Sequence, residues 1–102
     1  MGTYKGEIWQ RLKEVHKNFR ARCDENPVSA HIERASVYYC LSGCYQKWWQ
    51  WPVTLWYLRQ AVSNLTNART LDKSDFKNLS YEEIDTVAAI LAKVPRWLHW
   101  ES

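Results

Sequence analysis

Apolar side chains recur along this chain at steps of three and four residues, the period of a helix with one buried face. The first run is the most regular. Tyr4, Ile8, Leu12, Val15, Phe19 and Cys23 make one stripe and predict a helix from about Lys5 to Cys23. Lys13, Lys17 and Arg20 fall together on the far side, while Trp9 and His16 lie on the flank. Asp24-Glu25-Asn26-Pro27 interrupts the pattern. Asn26 is placed to act as an N-cap, and Pro27 suits the first helical position, where its missing N–H costs nothing.

A second helix follows, to about Trp49. Val28, Ile32 and Ala35 share one face, and Val37, Leu41, Cys44 and Trp48 take nearly the opposite one. A straight helix that is apolar on both sides must be sandwiched between other elements; otherwise it breaks near Ser36 or at Gly43. Within it, Tyr38, Leu41, Tyr45 and Trp48 read as a core stripe. Pro52 ends or kinks this helix and can start the next. In that third helix, about Val53 to Asn67, the residues Leu55, Leu58, Ala61, Val62 and Leu65 share a face, and Trp56 and Tyr57 point elsewhere.

Asn67 to Leu79 reads as a loop with a short helical turn after Asp72. Ser80-Tyr81-Glu82-Glu83 is a capping box, flanked by Leu79 and Ile84 at the positions of a hydrophobic staple. The fourth helix is expected to bury Ile84, Val87, Ala88 and Leu91 and to stop before Pro95. Arg96 to Trp100 has room for one more turn. The expected fold is all-α: a compact bundle of four main helices, the second and third central, plus a short aromatic C-terminal turn.

Length supports one domain over residues 1–102. Apolar residues at 46% and charged residues at 25% are the mixture of a globular protein and not of a disordered tail. Three Gly and three Pro are too few for a turn-rich β-sandwich or barrel. Net charge is +3, a mild excess that does not demand a nucleic-acid partner. Its distribution says more. Residues 1–23 carry six basic and two acidic side chains, and residues 71–94 carry three basic and five acidic. Residues 26–70 hold only Glu33, Arg34, Lys47, Arg59 and Arg69, which marks them as the core section.

The stretch Val37–Leu58 is 22 residues long with one charge, Lys47, long enough to span a bilayer. Ser42, Gln46, Gln50 and Pro52 interrupt it, however, and its Trp and Tyr run throughout instead of marking two interfaces. No transmembrane segment is expected. Three cysteines, with no secretory signal pattern at the N-terminus, read as reduced thiols of a cytoplasmic protein. The Asn64-Leu-Thr66 and Asn78-Leu-Ser80 sequons are then chance matches.

Chemistry-bearing motifs are weak. Gly2, Gly6 and Gly43 provide no phosphate-cradling loop. No nucleophile elbow and no paired-histidine zinc motif occurs. Cys40-x3-Cys44, with His31 or His16, is the best metal candidate, but two thiols on one helix need further ligands from elsewhere. Ser36, Cys40 and Cys44 read better as a strip of small side chains that lets a neighbour approach. The helix dipole and capping box already account for Glu82, Glu83 and Asp85. No catalytic, cofactor-binding or metal-binding residue is assigned, and the chain is expected not to be an enzyme.

Seven Trp and six Tyr are the unusual feature. Each such ring buries about 150–250 Å², more bulk in total than a core of this size ordinarily takes. The rings off the apolar faces, Trp9, Trp49, Trp56, Trp97 and Trp100, are therefore candidates for a partner-binding surface, together with Arg96. Trp and Tyr are enriched in interface hot spots. The competing readings are that the tail folds back and these rings complete the core, or that they contact a membrane surface. The sequence thus points to a small non-enzymatic protein that binds a larger protein or complex and modulates it. Such an adaptor or inhibitor has the profile of a phage or mobile-element accessory protein. The alternatives are a nucleic-acid-binding accessory protein using Lys13, Lys17 and Arg20, and a homo-oligomer whose copies cover each other's aromatics.

Overall fold

Ile8, Leu12 and Val15 are buried and Phe19 and Cys23 half-buried, so the first apolar stripe does drive α1 (Tyr4–Glu25) onto the rest of the chain. The computed structural model describes residues 4–71 and 78–98. Asn26 then caps α2 (Pro27–Ser42), its Oδ1 accepting from the Ser29 N–H at 3.2 Å. A 3-10 turn at Trp48–Gln50 leads into α3 (Trp51–Leu71), with Pro52 in its first turn. The helix α4 (Tyr81–Lys93) follows, and a second 3-10 turn covers Arg96–Leu98. No strand occurs among the described residues, and the fold is an all-α bundle of four helices. The expected turn after Asp72 and the residues His99 and Trp100 lie outside the described residues.

The two-faced helix α2 is the centre. It packs most extensively on α3, next on α1, and also on α4. Both of its apolar faces are thereby covered as far as Ser42, and the helix breaks at Gly43. Cross-helix contacts fix the directions. Arg22 pairs with Glu33 at 3.0 Å, and the Lys5 ammonium lies 4.1 Å from the Tyr45 ring centre, so α1 is antiparallel to α2. Arg34 reaches Asn64 and Thr54 reaches the Tyr45 carbonyl, so α3 is antiparallel too. Ser29 donates to Glu83 at 2.8 Å at one end, and Lys93 stands beside Gly43 at the other, so α4 runs parallel to α2. Leu41, Leu58, Leu65 and Ile90 are fully buried between the helices.

Four expectations need correction. Trp48 is not part of the core stripe. The chain leaves α2 after Ser42, so the helical register that would have turned Trp48 inward is lost, and its ring is exposed. Tyr57 does not point away. It is buried, because α1 and the end of α2 close over that side of α3. The third helix is longer than expected, Trp51–Leu71. Last, α4 is rotated relative to its expected face. Ile90 is buried and Val87 and Leu91 half-buried, whereas Ile84 and Ala88 are exposed. The covered side runs through Glu83, Val87, Ile90 and Val94, since Glu83 is drawn toward α2 by Ser29. The capping box forms as expected: Ser80 Oγ accepts from the Glu83 N–H at 3.2 Å, and Glu83 Oε1 accepts from the Ser80 N–H at 3.1 Å.

Candidate interaction surface

The start of α1, the end of α2, the start of α3 and the end of α4 meet at one end of the bundle. At its centre Tyr57 stacks on Tyr45, with ring centres 5.5 Å apart, and lies 6.2 Å from Tyr38. Trp9 meets the Tyr57 ring edge-on at 6.1 Å, and Trp56 does so at 5.2 Å. Burial pushes the Tyr57 hydroxyl up to about 12, and the neighbouring Tyr45, Tyr38 and Cys44 add to the shift. Burial likewise raises Tyr38, although Arg34 works against it. The Tyr38 hydroxyl is hydrogen-bonded to Nε2 of His16 at 3.3 Å. Burial, and then Arg34, holds His16 below its ordinary value.

Every Trp among the described residues lies at this end and is exposed. Trp48 is 88% exposed, Trp97 64%, Trp49 59%, Trp56 52%, Trp51 50% and Trp9 37%. The turn that carries Trp48 and Trp49 is held by other groups. Gln46 Nε2 donates to the Gly43 carbonyl at 2.7 Å, Gln50 Oε1 accepts from the Lys47 N–H at 3.1 Å, and Thr54 donates to the Tyr45 carbonyl. These bonds satisfy the backbone that would otherwise be stranded between helices. The Trp48 and Trp49 indoles take no part in these bonds, although the Lys47 ammonium stands 5.8 Å from the Trp49 ring centre. Arg59 stands 5.7 Å from the Trp97 ring and so ties the second 3-10 turn to α3. Arg96, the first residue of that turn, is exposed.

Charge is sorted along the same axis. Residues 4–13, 38–60 and 89–98, which build the aromatic end, carry seven basic side chains and one acidic one, Glu7. Residues 14–37, 61–71 and 78–88 carry five basic and seven acidic. The sequence blocks did not show this division, because each end is assembled from pieces of several helices.

Of the residues expected at a partner surface, the structure brings Trp9, Trp49, Trp56, Arg96 and Trp97 to one end and leaves them exposed; Trp100 lies outside the described residues. The sequence reading missed Trp48, Trp51 and the lysines Lys47 and Lys93. A signal for the first three was available. Gly43 and Pro52, the two residues that most readily interrupt a helix, bracket the stretch that holds them. Lys13, Lys17 and Arg20 are exposed along α1, but Lys17 and Arg20 lie toward the opposite end, so they form a separate surface.

The remaining candidates resolve into structural roles. Asn64 is only 4% exposed, and its Oδ1 accepts from Arg34 Nε at 2.8 Å and from His31 Nδ1 at 3.2 Å. It is no site for a glycan in the folded chain. Phe19 lies between His31 and Arg34, the guanidinium 3.6 Å from its ring centre. Cys23, Cys40 and Cys44 are free thiols, all half-buried. The small strip of Ser36 and Cys40 borders clefts instead of a tight helix contact. Among the described residues, no group of three or more His, Cys, Asp or Glu is arranged to hold a metal ion. No described helix is long and apolar enough to cross a membrane. A cleft of about 360 Å³ between α2 and α4 is lined by Glu33, Glu82 and Glu83 with serines. Comparisons with protein-family models, curated proteins and solved structures return no match.

Proposed function

We propose that this chain is a small non-enzymatic interaction protein of the cytoplasm. Its aromatic end docks on a larger protein or complex and modulates it, as an adaptor or inhibitor does. One observation carries the reading: six tryptophans are exposed at one end of the bundle, and the bonds that hold the turn do not use them. A monomer gains nothing by leaving so much apolar surface in water, and exposed patches of this kind mark binding sites. Rigid indoles bury a large area at little entropic cost, which is why they anchor interfaces.

Capture from a nuclease-treated lysate tests this. A stoichiometric protein partner is expected on the wild-type chain and not on Trp48→Ala/Trp49→Ala, with both proteins folded by circular dichroism. Retention of the partner by that variant counts against the aromatic end.

The second reading is nucleic-acid binding through Lys13, Lys17 and Arg20. Its support is that all three are exposed on one helix face, with no carboxylate paired to them among the described residues. It requires binding that survives the Trp changes, is lost when the three are made Glu, and weakens steeply with salt.

A further inference from the structure

We propose that the aromatic end recognises an acidic segment of its protein partner that also carries large apolar side chains. A carboxylate sits between Lys47 and Lys93, and an apolar side chain lies against Trp48 and Trp51. The proposal rests on the partner-binding reading above and names the chemistry of that partner.

The turn after α2, the first turn of α3 and the last turn of α4 enclose a cleft of about 300 Å³. Lys47 and Trp48 form one wall, Trp51 another, and Lys93 the third. No carboxylate of the described residues lines it. Ser42 and Thr54 also line it, but both hydroxyls already donate to backbone carbonyls, of Tyr39 and Tyr45. The two ammonium groups are therefore its charged donors. Neither is paired with a carboxylate among the described residues. Lys47 stands 5.8 Å from the centre of the exposed Trp49 ring, Lys5 4.1 Å from Tyr45 and Arg59 5.7 Å from Trp97, and of these three cations Lys47 lines the cleft.

A second cleft, of about 270 Å³, is lined by Tyr4, Tyr39 and Cys40 and shares Gln46 and Lys93 with the first. Two clefts that meet at one lysine suit an extended segment with several side chains better than a single small anion.

The division of labour follows from the residue types. Desolvating the indoles supplies affinity, and the lysines select charge and speed encounter. Net charge at this end is strongly positive, so an acidic segment is drawn in and a basic one is rejected. A single-stranded nucleic acid would also bring negative charge, but it needs a continuous basic track. The basic row of α1 runs away from this end.

A random peptide library displayed on phage, panned against the full chain at about 0.15 M salt, is the test; at that ionic strength exposed charges more than about 8 Å apart are largely screened. Enriched peptides are expected to pair Asp or Glu with Leu, Phe or Trp. Binding of a synthetic copy, read by tryptophan fluorescence, should fall about tenfold or more with Lys47→Glu/Lys93→Glu and with Trp48→Ala/Trp51→Ala. Lys47→Arg/Lys93→Arg should retain it. All of these positions are on the surface, and thermal melts should match the wild type. Enriched peptides without an acidic excess, sensitive to the Trp changes but not to the Lys changes, overturn the proposal and leave the aromatic end as an interface. Enrichment of nothing, with oligo(dT) or phosphatidylserine vesicles bound instead and lost on the Trp variant, overturns both readings.

Discussion

Asn64 shows what a single polar residue does in this core. Its side-chain oxygen accepts from two cations or potential cations, and its amide nitrogen donates to the Gln60 carbonyl at 2.8 Å. Asn64→Ala would leave Arg34 and His31 facing apolar surface. Both partners are half-buried, so urea denaturation should show a loss at or below about 1–3 kcal/mol, the cost of a fully buried unsatisfied group. His16 and Tyr57 should make stability depend on pH, one on each side of neutrality. The His16 pKa is lowered in the folded state, so the unfolded chain takes up its proton first as pH falls. Its contribution is complete above pH 6.5 and is lost as pH falls through the folded value. Tyr57 has the opposite sign: its stabilising effect is complete below pH 10.0 and is lost as pH rises to about 12. Thermal melts against pH should flatten on the acid side in His16→Gln and on the alkaline side in Tyr57→Phe.

At the scale of elements, local signals were reliable where the chain's own backbone makes the contact. The Asn26 cap and the Ser80–Glu83 box form where their spacing places them. Ser80→Ala should lower stability by about 1 kcal/mol, the ordinary worth of an N-cap, measurable as a shift in the thermal midpoint. Faces were less legible. The α4 sequence allows two apolar faces, and a single tertiary bond from Ser29 to Glu83 accompanies the choice between them. Tyr57 could not be read as buried from its own helix, since the rings that cover it come from α1 and the end of α2. Trp48 was misread for a related reason. Helical periodicity was carried past Gly43, where the chain had already turned.

At the scale of the whole molecule, the bundle is polar in both senses: aromatic and basic at one end, acidic at the other. Because the exposed indoles make no contribution to the bonds that hold the turn, Trp48→Ala/Trp49→Ala should change stability by no more than about 0.5 kcal/mol, the usual range at the surface. A larger loss in urea denaturation would mean that these rings belong to the fold. The exposure of Trp9, Trp49, Trp56 and Trp97 was legible, because a ring off its helix's apolar stripe is a poor fit for the core. Lys47 and Lys93 were not, because a cleft between distant segments has no signature in either one.

By itself the sequence determined the presence of four main helices, the caps at Asn26 and Ser80, and the central place of the charge-poor middle. Each of these depends on neighbours within a turn or two, which the order of residues specifies directly. Only the tertiary structure decided which aromatic rings are covered, where α4 turns its face, and that the basic and aromatic residues of four helices share one end. Burial is a property of what another element places over a residue, and charge at a surface is a sum over segments that meet only when the chain is folded.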